Sequence, residues 1–374
     1  MSLSLYVHVP FCERKCAYCD FASWADRGHE EPAWLGRIER ELELRGSQAN
    51  GPVSSVFFGG GTPSALSEGG LERLCRAVQD NFRLEASAEW SMEANPVSLT
   101  REKLEIATGA GVNRVSLGVQ SFEPALLSRM GRAHDADQAR AALDLVAASG
   151  LRWSADLIFA LPGQTLEQFL SSLDTLLSWN PSHVSFYGLT LEAGTDFWKE
   201  HEAGTLSEAH EDLYADMYLR GVQRLAEAQI HRYEVSNFAR PGEECRHNEA
   251  YWDTRSTWLA AGNAAHGYAP HLRWRNPRGL SAWYDWADQG FPLEGLIAED
   301  LDTEQRWTEE WFLGLRQAQG VDLSRLAGEF PKEPSRAAIA RRIAAGHVEV
   351  ADDRVRLVGE GWLLLDAIAV EFSA

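Results

Sequence analysis

Six short apolar runs, separated by amphipathic stretches of helical period, constrain this chain more than any other feature. The runs cover residues 3–9, 53–58, 88–93, 114–119, 153–159 and 183–189. Each is rich in β-branched or aromatic residues and ends near Gly, Pro or polar residues. Between them lie helical patterns at 32–44, which should stop at Gly46, and at 68–82, 100–110, 135–149 and 165–178. Strand and helix in regular alternation predict an α/β fold with a parallel sheet and right-handed crossovers. Six units can form an open, partial (β/α)6 barrel, and in such sheets chemistry collects at the carboxyl ends of the strands. The chain has 374 residues and 45% hydrophobic content, enough for this core and a smaller second unit.

After about residue 200 the alternation fades. Residues 207–229 read as a long helix, and 231–290 as loop-rich with many aromatics. Beyond about 296 come a helix at 302–318, short helices, two strand-like runs at 347–350 and 355–358 about Asp352-Asp353, and a last helix at 361–372. Helices with a small hairpin predict a winged-helix-like module. The expected division is a barrel at 1–230, an aromatic-rich segment packed on it at 231–295, and the module at 296–374. Such modules often bind DNA, but the net charge is −20 and no basic stripe is present, so nucleic acid is not the expected partner. No run of eighteen apolar residues predicts a membrane-spanning helix. The uncharged start, Met-Ser-Leu-Ser-Leu-Tyr, does not read as a signal peptide. Five cysteines, an odd number, form no even disulfide framework, so a reducing cytoplasm is expected.

Three of those cysteines stand just after the first run, in Cys12-Glu-Arg-Lys-Cys16-Ala-Tyr-Cys19, with no fourth nearby. Three thiolates can hold three irons of a [4Fe–4S] cube and leave the fourth iron open to a small molecule. Zinc would need a fourth ligand, His8 or the distant Cys245. Incidental thiols are the third reading. Cys75 falls on the apolar stripe of the 68–82 helix and reads as a core residue.

Further signals follow successive strands. Gly59-Gly60-Gly61-Thr62-Pro63 can bring backbone close to a ligand, although a glycine run alone is often only a flexible turn. Glu93, Gln120 and Asp156 end or approach the ends of their strands, and Arg132 follows in Met130-Gly131-Arg132. A strand-end carboxylate can accept from an ammonium or a ribose hydroxyl, and an arginine can grip a carboxylate bidentately. Singly, each could be a surface cap.

Together these motifs resemble the radical S-adenosylmethionine (radical SAM) superfamily. The resemblance implies that Cys12, Cys16 and Cys19 bind the cluster, and that the open iron chelates SAM. It implies that Gly60, Gly61 and Thr62 contact the methionine moiety. Tyr6, Glu93, Gln120, Arg132 and Asp156 match the remaining SAM-contacting positions, with Arg132 on the SAM carboxylate and Asp156 on the ribose.

Over nearly the whole length the chain is similar to the oxygen-independent coproporphyrinogen III dehydrogenases and the HemW-type haem chaperones related to them. The dehydrogenases have a fourth cysteine two residues after the third, where this chain has Phe21, and a long segment before the cluster strand. The chaperones carry an HNxxYW pattern, present here as His247-Asn248-Glu249-Ala250-Tyr251-Trp252. His247 offers an axial ligand for haem iron, and Tyr251 would share its helical face. Trp252 and Trp258 offer flat apolar surface. Cys245 and His266 are alternative ligands, and a buried, hydrogen-bonded histidine is the plain structural reading. The resemblance implies delivery of haem to haem-requiring proteins, such as membrane respiratory enzymes. It also leaves coproporphyrinogen dehydrogenation as the alternative activity. Two departures stand out. The family commonly has Gly where this chain has Ala160. A family segment ending Ala-His-Ser-Tyr reads here Ala265-His266-Gly267-Tyr268.

Overall fold

The computed structural model describes residues 2–293 and 296–374. All six expected strands form: β1 (Leu3–Val9), β2 (Val53–Gly60), β3 (Leu84–Ala94), β4 (Arg114–Gln120), β5 (Arg152–Phe159) and β6 (His183–Gly188). They lie side by side in chain order, each parallel to the next. One face of this sheet is apolar and buried under the helices, with Val7, Val56, Met92, Val115, Leu157 and Phe186 all at 0% exposure. The side chains of the opposite face are mostly polar: Tyr6 and His8 on β1, Ser55 on β2, Glu89 and Glu93 on β3, Ser116 on β4, and Asp156 on β5. That alternation with period two gives the inner face its chemistry.

The helices begin where capping residues place them. Ser67, Thr100, Asp135 and Thr165 each accept from a backbone N–H of the first turn, and Asp135/Gln138 and Thr165/Gln168 form full capping boxes. The first helix spans Glu31–Gln48 and does not stop at Gly46. A Cβ at Gly46 would lie 2.4 Å from the carbonyl oxygen of Asn81. The glycine permits close helix–helix contact and is no terminator.

Residues 231–290, expected to be loop-rich, instead supply most of the strands that extend the sheet at both edges. Beside β6 lie β7 (His231–Arg232) and β8 (Asn237–Ala239), antiparallel. Beside β1, in parallel, lies β9 (Thr257–Ala261), followed outward by β10 (His266–Ala269), β11 (Leu272–Arg275) and β12 (Ile297–Asp300). One twelve-stranded sheet results. The boundary expected at 295 falls on a residue outside those described.

The last part has the winged-helix-like pattern. A helix at Thr303–Gly314 leads to β13 (Val321–Asp322), helices at Leu323–Glu329 and Arg336–Ala344, and the hairpin β14 (Val348–Ala351) and β15 (Arg354–Leu357). The strand order is β13–β15–β14, antiparallel. Asp352 and Asp353 both take positive φ, 51° and 58°, as a tight hairpin turn requires. Gln317 Nε2 donates to the Trp252 carbonyl at 2.9 Å, tying this part to the sheet-edge segment.

Candidate functional site

The loop after β1 brings Cys12, Cys16 and Cys19 to the carboxyl end of the sheet. Several backbone bonds pin it: Cys12 N–H to Trp24 O (3.2 Å), Ala17 N–H to Met130 O (2.9 Å), and Phe197 N–H to Ala17 O (2.9 Å). The three thiols are half-buried and unpaired, and each has its own donor. Thr62 Oγ1 lies 3.6 Å from Cys12 Sγ, the Arg132 guanidinium 3.2 Å from Cys16 Sγ, and Lys15 Nζ 3.8 Å from Cys19 Sγ. Burial pushes the Cys12 and Cys19 thiols up. Hydrogen bonds from Ser23 and Thr62 oppose this at Cys12, and the Lys15 charge opposes it at Cys19. Among the described residues no three His, Cys, Asp or Glu side chains converge on one point, as a single-ion site requires. A cube spreads its thiolates over three irons, and three separated, individually hydrogen-bonded cysteines fit that demand.

A cavity of about 450 Å³ opens against this loop. Besides the cysteines it is walled by Gly61, Thr62, Glu93, Gln120, Arg132 and Asp156. Burial and the nearby Asp156 push the Glu93 carboxyl up to about 8. Burial pushes Asp156 up to about 6, against hydrogen bonds from Ser185 and Ser116; the Ser116 hydroxyl lies 3.0 Å from Oδ1. Two carboxyls in one half-buried wall, the charge of Asp156 disfavouring that of Glu93, suit a cationic ligand group. Arg132 divides its fork. One nitrogen bonds Cys16 Sγ, another donates to Gly118 O at 2.6 Å, and Nε is buried without a partner. Each η nitrogen keeps a second N–H, so with Nε three donors remain for a carboxylate.

Tyr6 and Gly60 do not line the cavity. Tyr6 hydrogen-bonds His8 Nδ1 at 3.1 Å, and His8 Nε2 bonds Ala22 O at 3.0 Å, so the pair braces the cysteine loop from beneath. Gly60 has φ +104°, and a Cβ there would lie 2.4 Å from the His8 ring. At Gly61 a Cβ would lie 2.6 Å from Phe11 O. The glycines at 60 and 61 are therefore required by the close approach of His8 and the cysteine loop, where the sequence pointed to ligand approach. Lys15 and Ser116 belong to the site and carried no separate signal: one is a lysine in a charged loop, the other a serine within a strand.

The 245–252 segment forms a short helix, Arg246–Trp252, packed on the inner face of the sheet. His247 has 0% exposure. Its Nδ1 bonds Ser55 Oγ at 2.9 Å and its Nε2 bonds Tyr251 OH at 3.0 Å. Its ring stacks on Phe57, with centroids 5.0 Å apart. Burial lowers its pKa to about 3. An axial ligand needs a lone pair in the open, and in this conformation His247 has none. Cys245 is also buried, its thiol donating to Glu89 Oε1 at 3.2 Å. Trp258 is buried and stacks on Tyr268 at 4.1 Å, so the protein itself covers that face, whereas Trp252, whose Nε1 donates to Glu234 at 3.0 Å, is half-buried. His266, on β10, is exposed.

Comparison with known proteins agrees with this geometry. Residues 6–176 match the model of the radical SAM superfamily, and residues 301–364 match that of the HemN C-terminal domain. The fold and the cysteine loop define a radical SAM protein, a class that implies a [4Fe–4S] cluster and SAM. The chain is 38% identical over 370 residues to heme chaperone HemW of Mycobacterium tuberculosis, an alignment covering 97% of this chain and 93% of that one. It is 33% identical to heme chaperone HemW of Escherichia coli, covering 100% and 98%. It belongs to the HemW family. Coproporphyrinogen III oxidase (HemN) from Escherichia coli, described as a radical SAM enzyme, shares the fold: the TM-score is 0.86 at 23% identity, covering 100% of this chain and 90% of that one.

Proposed function

We propose that this chain is a haem chaperone that holds a [4Fe–4S] cluster and SAM, and passes haem to haem-requiring proteins such as respiratory enzymes. The observation that carries the reading is near-full-length identity to proteins named heme chaperone HemW. Cys12, Cys16 and Cys19 are the cluster ligands. Gly61, Thr62, Glu93, Gln120, Arg132 and Asp156 form the wall against which SAM lies. Residues 1–230 hold these cofactors, 231–295 offer the haem contacts, and 296–374 have a structural or protein-docking role. Five unpaired thiols suit the cytoplasm.

For the haem iron, His266 is the exposed candidate and has, among the described residues, no side-chain bond to break, and the charges of Arg275 and Arg278 act on its ring. His247 could serve only after its bonds to Ser55 and Tyr251 break. Phe21, at the position of the dehydrogenases' fourth cysteine, argues against coproporphyrinogen chemistry. In the test, reconstituted protein is titrated anaerobically with haem and, separately, incubated with coproporphyrinogen III, SAM and reductant. Haem binding with a Soret shift that weakens in His266→Ala, and no protoporphyrinogen IX, is the expected result. Conversion to protoporphyrinogen IX would overturn the reading.

A further inference from the structure

A cube held by three thiolates has a net negative charge, and reduction adds one more. Among the described residues two cations hydrogen-bond a sulfur of the cysteine loop. Arg132 serves Cys16, as described. The other is Lys15, whose Nζ reaches Cys19 Sγ at 3.8 Å, Phe21 O at 2.5 Å and Ser23 Oγ at 3.2 Å. The side-chain hydrogen bond to Cys12 Sγ comes from Thr62, on the other side of the loop, at 3.6 Å. The ammonium thus sits among residues 19, 21 and 23 and reaches one of the three thiols directly. Lys15 is an exposed residue, and its two oxygen partners, both in the same loop, tether the ammonium beside the sulfur. Phe21 contributes through its backbone: its ring is 59% exposed while its carbonyl faces Lys15.

We propose that Lys15 is a positioning residue for the cluster, a tethered positive charge that closes the cysteine loop and favours the reduced cube. This rests on the cluster reading above. A hydrogen bond to a ligand sulfur and a fixed cation beside the cube both stabilise added negative charge, and so raise the reduction potential. The neighbouring Arg14 provides a control, because it donates to Arg132 O and to no sulfur.

The experiment is an anaerobic redox titration, followed by electron paramagnetic resonance, of reconstituted wild-type, Lys15→Gln, Lys15→Arg and Arg14→Gln proteins without SAM, with iron and sulfide counted in each. The expected result is a more negative midpoint for Lys15→Gln than for wild type or Arg14→Gln, partly restored in Lys15→Arg. A Lys15→Gln protein with full iron and sulfide and the wild-type midpoint would overturn the assignment. If Lys15→Gln holds no cluster, Lys15→Arg decides: four irons with a midpoint near wild type support the role, and no cluster refutes it. A wild-type protein without labile sulfide would sink the cluster reading itself, an outcome distinct from all of these.

Discussion

Ala160 shows what a single backbone angle can reveal. It follows β5 with φ +60°, at a position where the family commonly has glycine. A Cβ in the left-handed region costs about 1–2 kcal/mol, part of which a glycine would give back as unfolded-chain entropy. Ala160→Gly should therefore raise stability by about 0.5–1 kcal/mol. A urea midpoint that stays or falls, at constant m, would refute this. Gly267 has the opposite explanation. A Cβ there would lie 2.0 Å from the Trp274 ring, so serine is excluded by the tryptophan on the paired strand. The cysteines were legible in sequence because their spacing states their chemistry. Glu93, Gln120 and Asp156 were legible because each sits at or near a strand end. Lys15 was not, because its meaning lies in where its ammonium folds back, which spacing does not encode.

At the scale of elements, the helix Arg246–Trp252 separates recognition of a motif from its role. His247 joins this helix to β2 through Ser55 and Phe57, and Tyr251 closes the pair. Removing the imidazole leaves a cavity and two hydroxyls without their partner. His247→Ala should cost about 2–4 kcal/mol. Denaturant melts of the variant check this, read beside its haem spectrum. The expected outcome is a lowered midpoint with an unchanged Soret band; a lost Soret band at wild-type stability would make His247 the ligand after all. The parallel strands were readable because each is a long apolar run with a buried face. The edge strands β7–β12 are two to five residues long and hold Arg, His and Asn. They are strands because β6 and β1 offer unpaired edges, a cause that lies far away in sequence.

For the whole molecule, buried titratable groups set the pH dependence. In the folded chain Glu93 keeps its proton to about 8 and Glu234 to about 7, both chiefly through burial, whereas unfolded they release it near 4.5. The folded state binds more protons across that interval, so stability falls as pH rises through it. Buried histidines act in the opposite sense: His8 and His134 stay neutral to about 4 and His247 to about 3, against 6.5 when unfolded, again because of burial. Their contribution is present above 6.5 and lost as pH falls. Below 6.5 the two sets oppose each other; above it only the carboxyls titrate. Cluster-free protein should lose stability between pH 6.5 and 8, on the order of 1 kcal/mol from Glu93, and Glu93→Gln should flatten the slope. Urea midpoints that rise with pH over this interval would contradict it. One further consequence follows from β9 lying beside β1. During synthesis, the strand leading to Cys12 emerges some 250 residues before its second neighbour, Thr257–Ala261. Until then β1 presents a bare hydrogen-bonding edge, the kind of edge that invites wrong partners. The iron-binding loop hangs from that unfinished seam, so synthesis must pass Ala261 before the cradle for its irons can set.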